Sequence, residues 1–230
     1  MRLEDILFTQ GFGTRHECRG LVALGRAAFN GEVMTDPDAE IAVESLVFSV
    51  DGKDWPFCAR AIIALNKPEG YECSQKPLHH PSVMKLLPAP LRVRGVQPVG
   101  RLDADTTGLL ILTDDGQLQH RLTHPRRHVP KRYRVVCRHD VTQDLVQKLA
   151  SGVLLVDERE PLRASDVVRC ADNVLEMTIT SGKYHQVKRM IAAAGNRVEA
   201  LERIAFGKLR LPTDLPRGGW RWLCGPQAIV

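Results

Sequence analysis

The segment GRLDADTTGLLILTDDG, residues 100–116, contains the side chains best suited to catalysis. Its short polar loop is flanked by glycines and leads into the apolar run LLILT at 109–113, which predicts a buried strand. Asp103 is therefore expected in a loop at the mouth of a strand. A carboxylate between Arg101 and a buried strand can be held ionised by the nearby positive charge, as a carboxylate nucleophile or base requires.

The same segment also has a purely structural interpretation. Asp103 or Asp105 can cap a turn, with the hydroxyls of Thr106 and Thr107 bonding to the loop backbone. From the residues alone, this turn-capping role is favoured over catalysis.

A second feature is the stretch 116–139, which contains no acidic side chain. Its seven basic residues are Arg121, Arg126, Arg127, Lys131, Arg132, Arg134 and Arg138, and its histidines are His120, His124, His128 and His139. Such a run can neutralise phosphates, since each Lys or Arg can displace a condensed counterion. A solvated loop face is an equally supported alternative. Three further cations at the start of a predicted helix, Lys183, Lys188 and Arg189, favour a nucleic-acid partner.

The elements before residue 61 form a separate pattern. The spacing of leucines predicts helices over 2–10 and 14–24, and Thr14 with Glu17 three residues later fits a capping box. Asn30-Gly31 between two apolar runs predicts a β-hairpin. We expect a compact unit of about fifty residues, followed by a short linker at 53–60.

The rest of the chain alternates between strand and helix patterns. Helices are predicted over 141–152 and 184–194, the second ending at Gly195. Strands are predicted at 62–68, 109–113, 133–137, 153–156, 166–170 and 174–180. Many strands with few helices between them predict an α+β fold with a mixed, mostly antiparallel sheet.

Composition excludes several classes of protein. The 230 residues are 43% hydrophobic and 26% charged, as in an ordinary globular protein, and the apolar runs are far shorter than a membrane span. The N-terminus MRLEDILFTQGFG lacks the features of a secretory signal, so a cytoplasmic protein is expected. The six cysteines are scattered without a CxxC pair, which predicts free thiols and no metal.

The net charge of +5 is distributed unevenly along the chain. Residues 1–52 contain four Arg, no Lys and nine acids, a charge of −5, whereas the other 178 residues contain 28 basic and 18 acidic residues, a charge of +10. The positive charge therefore belongs to the larger segment, which also contains Asp103.

Three separated motifs resemble the RsuA-type ribosomal RNA pseudouridine synthases. They are LNKPEGYECS at 65–74, GRLDADTTGLLILTDDG at 100–116 and SGKYHQVKRM at 181–190, and they occur in the order typical of the family. The first fifty residues are similar in size and pattern to the family's alpha-L RNA-binding module. The resemblance implies an alpha-L domain at 1–52 and a catalytic domain at 61–230.

The resemblance also implies a reaction and roles for residues. Such enzymes break the N1–C1′ bond of a uridine, rotate the uracil and rejoin it through C5, without a cofactor. Asp103 is then the catalytic aspartate, acting at C1′ or at C6, and Lys188 is its basic partner. Arg189 must point elsewhere, because adjacent helical residues do not share a face. Tyr133 is expected to stack on a flipped-out uracil or to remove the C5 proton.

The RNA-binding residues follow from the same resemblance. Arg101 is expected to act as a wedge or phosphate clamp, and the wider surface includes Arg126, Arg127, Lys131, Arg132, His185 and Arg189. The acidic N-terminal unit opposes phosphate overall. We therefore expect that only a stripe formed by Arg15, Arg19 and Arg26 contacts RNA there.

Within the family, Tyr184-His185 and the element at 80–83 are typical of enzymes that act on small-subunit rRNA. The expected partner is this rRNA in a ribosome assembly intermediate, bound by a monomer. The alternatives are a synthase for large-subunit rRNA and a non-catalytic assembly factor. Joint retention of Asp103, Tyr133 and Lys188 argues against the assembly factor.

Overall fold

The computed structural model describes residues 1–230, which divide into two units. The first comprises Met1–Ala61 together with Leu87–Gln97, and the second comprises Ile62–Leu86 together with Pro98–Val230. Each unit is described by itself below.

The first unit begins with two short helices, α1 (Leu3–Thr9) and α2 (Arg15–Ala23). The capping box predicted at the start of α2 is present. The backbone N–H of Glu17 donates to the Thr14 hydroxyl at 3.3 Å, and the backbone N–H of Thr14 donates to the Glu17 carboxylate at 2.7 Å. The apolar sides of both helices are buried in one core with Phe48.

A four-stranded antiparallel sheet completes this core. Its strands are β1 (Ala27–Phe29), β2 (Glu32–Val33), β3 (Val47–Val50) and β4 (Lys53–Pro56), in the order β2-β1-β3-β4. Asn30 and Gly31 connect β1 and β2 with φ angles of 49° and 85°, as the predicted hairpin requires. The chain returns to this unit through helix α3 (Ala89–Val93).

The linker predicted over residues 53–60 is wrong for its first half. Residues 53–56 are the edge strand β4, paired with β3, and Trp55 packs against the core of the first unit. The polar residues Lys53 and Asp54 do not give the apolar pattern from which a strand is predicted. Pro56 is tolerated because it lies at the end of an edge strand.

The second unit is built on a mixed sheet. Its strands are β5 (Ile62–Lys67), β7 (Thr106–Thr113), β8 (Lys131–Cys137), β9 (Ser165–Ala171), β10 (Val174–Ile179), β11 (Val198–Phe206), β12 (Leu209–Arg210) and β13 (Trp220–Trp222), and the two-residue strand β6 (Gln97–Pro98) lies where the two units meet in the sequence. The main order is β13-β5-β7-β11-β8-β10-β9, and β12 pairs with β11. Only β7 and β11 run parallel along this order, which confirms the predicted mostly antiparallel sheet.

The central position of β7 explains its sequence. It lies between β5 and β11 and is buried on both faces, so its residues form an apolar run instead of an alternating pattern. At Gly108 the backbone of β11 comes so close that a Cβ atom would lie 2.4 Å from the carbonyl oxygen of Arg203. Only glycine fits this contact.

Three helices flank the sheet, namely α4 (Gly116–Thr123), α5 (Gln143–Ser151) and α6 (Gln186–Ala193). Short 3₁₀ turns occur at Val83–Leu86, Pro125–Arg127 and Pro226–Ala228. The strand predicted at 153–156 is absent. In its place a single bridge joins Val153 to Leu162. None of the helices has the length and apolar character needed to cross a membrane.

Candidate active site

The loop that carries Asp103 rests on a buried lysine. Lys67, the last residue of β5, is fully buried, and its ammonium group shares its protons among four backbone carbonyl oxygens. These belong to Pro68 at 3.1 Å, Asp103 at 3.0 Å, Ala104 at 3.1 Å and Thr106 at 2.9 Å. Since these bonds fix the path from the loop into β7, Lys67 determines where the Asp103 side chain projects.

Burial lowers the pKa of Lys67, and the nearby Cys73, Asp105 and Asp103 oppose that shift. Lys67 is not among the site residues predicted from the sequence. The sequence contains one indication of its role, namely its position at the end of a mostly apolar predicted strand. A lysine buried there needs several hydrogen-bond acceptors around its ammonium group.

Helix α6 and the turn before it supply the partners of the Asp103 carboxylate, which is about one-third exposed. His185 Nε2 lies 3.3 Å from Asp103 Oδ1, and Lys188 Nζ lies 3.5 Å from Oδ2. Lys188 is closer to a second carboxylate, with Nζ at 2.6 and 2.7 Å from the oxygens of Asp105. One cation therefore serves two carboxylates, and Asp103 receives the longer contact.

Asp105 is the residue whose ionisation Lys188 changes most clearly. Burial raises the pKa of Asp105, but the hydrogen bond and charge of Lys188, together with a backbone hydrogen bond and the charge of His185, outweigh it, so the pKa lies below the usual value. The sequence predicts Asp105 only as a turn cap, because residue spacing does not show that helix α6 packs close to Asp105.

The turn before α6 places His185 against Asp103. His185 has a φ of 47°, in the left-handed region that is unusual for a histidine. The buried Gln186 holds this turn, since its Oε1 accepts from the Ser181 hydroxyl at 2.9 Å and from the Lys183 backbone N–H at 3.0 Å. The sequence predicted His185 as an RNA contact, whereas its side chain lies at the carboxylate.

These side chains open onto a cleft with a volume of about 710 Å³. Tyr133, on β8, is only 7% exposed and forms part of the wall. A narrow recess of about 90 Å³ shares Arg101, Asp103, Tyr133 and His185 with the cleft. The structure thus brings Asp103, Tyr133 and Lys188 to one place. No group of three or more His, Cys, Asp and Glu side chains has the arrangement of a metal site.

The predicted RNA-binding residues differ in their surroundings. Arg101 is exposed at the cleft, and Lys131 lines it. Arg126 and Arg127 lie in a 3₁₀ turn next to His124 and Pro125, which line the same cleft, and both arginines are exposed without an ion pair. The three exposed arginines are available to phosphates at the cleft, whereas Lys131 is half-buried in its wall.

Two other predicted contacts are engaged elsewhere. Arg132 alternates with Tyr133 along β8 and so faces the opposite side of the sheet, where it bonds to Glu176 at 3.0 Å. It lines a different cleft of about 740 Å³ on that side. Arg189 forms an ion pair with Asp157 and donates to the Tyr184 carbonyl at 3.1 Å. It points away from Asp103, unlike Lys188.

The three arginines of the N-terminal stripe all have carboxylate partners. Arg15 pairs with Asp5, Arg19 pairs with Glu4 and Asp38, and Arg26 pairs with Asp51. Each arginine is about half exposed. The stripe exists as a set of surface arginines, but local acids offset its charge, and the sequence did not reveal this pairing.

The chain is similar to known proteins over nearly its whole length. Residues 61–193 match the family of RNA pseudouridylate synthases. A crystal structure of a pseudouridylate synthase superimposes with a TM-score of 0.69 at 33% identity, covering 99% of this chain and 98% of the other.

Three curated relatives are similar to this chain over 68% to 97% of its length. A ribosomal small subunit pseudouridine synthase A of Vibrio parahaemolyticus is 37% identical, covering 97% of this chain and 96% of the relative. That of Escherichia coli is 42% identical over 68% of each chain. An uncharacterised RNA pseudouridine synthase of Bacillus subtilis is 34% identical, covering 97% and 95%.

Proposed function

Because this chain belongs to the RNA pseudouridylate synthases and is a pseudouridine synthase of the RsuA type, we propose that it converts a specific uridine of small-subunit ribosomal RNA into pseudouridine. The observation that carries the proposal is the position of Asp103 in a cleft walled by Tyr133, with Lys188 and His185 at its carboxylate oxygens. A binding module has no need for this arrangement.

The reaction requires a bond exchange at C1′. The N1–C1′ bond breaks, a C5–C1′ bond forms, one proton leaves C5 and one proton ends on N1, so there is no net oxidation or reduction. Asp103 is the residue that acts on the nucleotide, at C1′ or at C6. Lys188 supplies a fixed positive charge beside this carboxylate, with Nζ 3.5 Å from Oδ2.

Tyr133 has the position of a base-stacking residue. Its ring lines both the cleft and the recess that contain Asp103, so a uracil entering the recess meets the ring and the carboxylate together. Its hydroxyl is the proposed acceptor of the C5 proton. Since a uracil inside a helix is unreachable, the uridine must be flipped out, and Arg101 at the opening is the proposed wedge or phosphate clamp.

Small-subunit rRNA is the proposed target because similar proteins are named ribosomal small subunit pseudouridine synthases. The Vibrio and Escherichia coli synthases are 37% and 42% identical to this chain, whereas the name of the Bacillus relative specifies no subunit. A uridine must be accessible to be flipped, which favours an assembly intermediate as the substrate. We propose that the protein acts as a monomer, in the cytoplasm where bacterial ribosomes are assembled.

The test is chemical mapping of pseudouridine after incubation of the purified protein with unmodified small-subunit and large-subunit particles and with free rRNA. We expect one product site, in small-subunit rRNA. Product only in large-subunit RNA would contradict the proposed small-subunit target. No product in any RNA would favour an RNA-binding assembly factor.

The active-site assignment is tested with Asp103→Asn, which keeps the shape and removes the charge. Asp140→Asn, at an exposed aspartate of the same unit, is the matched control. We expect Asp103→Asn to lose turnover and keep RNA binding, and the control to keep both. Normal turnover by Asp103→Asn would show that another residue acts on the nucleotide.

A further inference from the structure

Two cations lie side by side on the wall of the cleft, and neither has a carboxylate partner. Arg203 on β11 pairs with Tyr133 on β8, and Phe206 pairs with Lys131 in the same ladder. Both cations line the cleft that contains Asp103. They are therefore neighbours of the ring that is proposed to stack on the uracil.

The buried guanidinium of Arg203 is incompletely satisfied. The residue is 2% exposed, and its Nε donates to the Leu109 carbonyl at 2.7 Å, but its buried Nη2 has no hydrogen-bond partner. Its charge lies 5.3 Å from the centre of the Phe206 ring, a cation–π contact that supplies no hydrogen-bond acceptor to Nη2. An arginine kept only for packing would normally be paired.

Lys131 is in a similar situation. Its Nζ lies 5.7 Å from the same ring and makes one long hydrogen bond, 3.4 Å, to the Thr180 carbonyl. Burial lowers the pKa of Lys131 to about 8, and the charge of Arg203 adds to the shift. Two like charges, one buried and one half-buried, are costly without a counter-charge, so the pair indicates that negative charge enters the cleft.

The proposed reaction, on which this inference rests, generates such charge on the uracil. If Asp103 attacks C1′, the electron pair of the N1–C1′ bond stays on the uracil and is delocalised from N1 to O2 and O4. If Asp103 attacks C6, the C5–C6 π electrons move toward C4 and leave an enolate charge on O4. Both routes place negative charge on O4.

We propose that Lys131 and Arg203 are catalytic residues that contact O4 of the flipped uracil and stabilise the negative charge that develops there. Preorganised donors in a site that excludes water stabilise such charge more strongly than water does. A backbone phosphate is the less suitable ligand, because it can bind exposed cations such as Arg101, whereas Arg203 is only 2% exposed and is reached from inside the cleft beside the Tyr133 ring.

The first experiment compares Lys131→Met and Arg203→Lys with the wild type under single-turnover conditions at saturating RNA. Lys208→Met and Arg210→Lys, at exposed residues beyond the cleft, are matched controls. We expect the two cleft variants to lower the rate about 100-fold or more, the usual effect of removing one such donor. RNA affinity and its salt dependence should stay at the wild-type level.

The second experiment tests the contact with O4 itself. In RNA that carries 4-thiouridine at the target, sulfur replaces O4 and accepts hydrogen bonds poorly. We expect this substitution to slow the wild type strongly and Lys131→Met only slightly, while 2-thiouridine changes both enzymes by the same factor. Equal effects of 4-thiouridine on both enzymes would overturn the contact.

Other outcomes are equally decisive. Weaker RNA binding with a smaller salt dependence and an unchanged rate would assign the pair to a phosphate. An active wild type with equally active variants would overturn this inference and leave the proposed function intact, whereas an inactive wild type would contradict the function itself. If Arg203→Lys fails to fold, Lys131→Met, at the first residue of its strand, carries the test.

Discussion

The ammonium group of Lys67 donates to the backbone carbonyl of Asp103 at 3.0 Å, so a fully buried cation lies directly under the proposed catalytic residue. The contact is to the backbone, which leaves the Asp103 carboxylate free to face the cleft. Lys67 is thus a positioning residue, and Lys188 and His185 are the groups that meet the carboxylate itself.

Replacing Lys67 by Met tests this support. The variant removes the donor from four carbonyl oxygens, and we expect the free energy of unfolding to fall by about 2 to 4 kcal/mol. Turnover should fall as well, because the loop loses its fixed path. Urea unfolding and a pseudouridine assay measure the two effects. Lys85→Met, at an exposed lysine of the same unit, should match the wild type, and wild-type stability of Lys67→Met would contradict the role.

The shared cation Lys188 leads to a prediction about ionisation. In Lys188→Met, burial still acts on Asp105 while the hydrogen bond and charge of Lys188 are gone and only the weaker effects of a backbone hydrogen bond and His185 remain, so the pKa of Asp105 should rise from its lowered value. Carbon-detected NMR titration of the carboxyl groups measures the shift. Lys148→Met, which breaks an exposed pair with Asp144, should leave Asp105 unchanged. If the pKa of Asp105 is the same in Lys188→Met as in the wild type, Lys188 and Asp105 do not form an ion pair in solution.

The inferred role of Lys131 requires its positive charge, which makes the rate depend on pH. Burial and Arg203 bring the pKa of Lys131 to about 8, so the ammonium loses its proton as the pH rises through that value. The other titratable and charged groups that line the same cleft are Glu72, Cys73, Arg101, Asp103, His124, Tyr133, Lys183, Tyr184, His185 and Arg203. We expect the single-turnover rate to decline about tenfold per pH unit above this pKa. In Lys131→Arg, which stays charged, the decline should move to higher pH or vanish. An identical profile in both proteins would contradict the assignment.

The fold was predictable where local sequence and final structure agree. Thr14 with Glu17 and Asn30-Gly31 specify their cap and turn through contacts of at most three residues' separation, and both formed as expected. The edge strand at 53–56 was missed because its stability comes from pairing with β3 and from the packing of Trp55, which no local pattern reports.

The candidate site divides in the same way. Asp103, Tyr133 and Lys188 were named from motifs, and the structure brings them together. The roles of Lys67, Asp105 and Arg203 depend on contacts between residues 36 to 94 positions apart, which sequence spacing does not specify. The sequence also does not predict which charges pair. It predicts the stripe of N-terminal arginines but not the acidic side chains that bind them.

Replacing Arg15, Arg19 and Arg26 together by Ala tests whether the N-terminal unit contacts RNA. Exposed ion pairs of this kind are worth about 1 kcal/mol or less each, so phosphates can compete for the arginines. We expect weaker rRNA binding and a log–log salt slope that is smaller by about 1 to 3, as for the loss of one to three phosphate contacts. Filter binding at several salt concentrations measures both. Unchanged affinity and slope would mean that the acids retain the arginines in the complex.

The two arginine pairs around β8 provide a matched comparison for the catalytic unit. Arg126 and Arg127 are exposed without ion pairs next to the cleft, whereas Arg132 and Arg134 share Glu176 on the other side of the sheet. We therefore expect the double Ala variant at 126 and 127 to weaken rRNA binding and to reduce the salt slope by about 1 to 2. The double Ala variant at 132 and 134 removes the same charge and should bind nearly as the wild type does. Equal losses in both variants would show that net charge, and not the position of the cations at the cleft, determines the affinity.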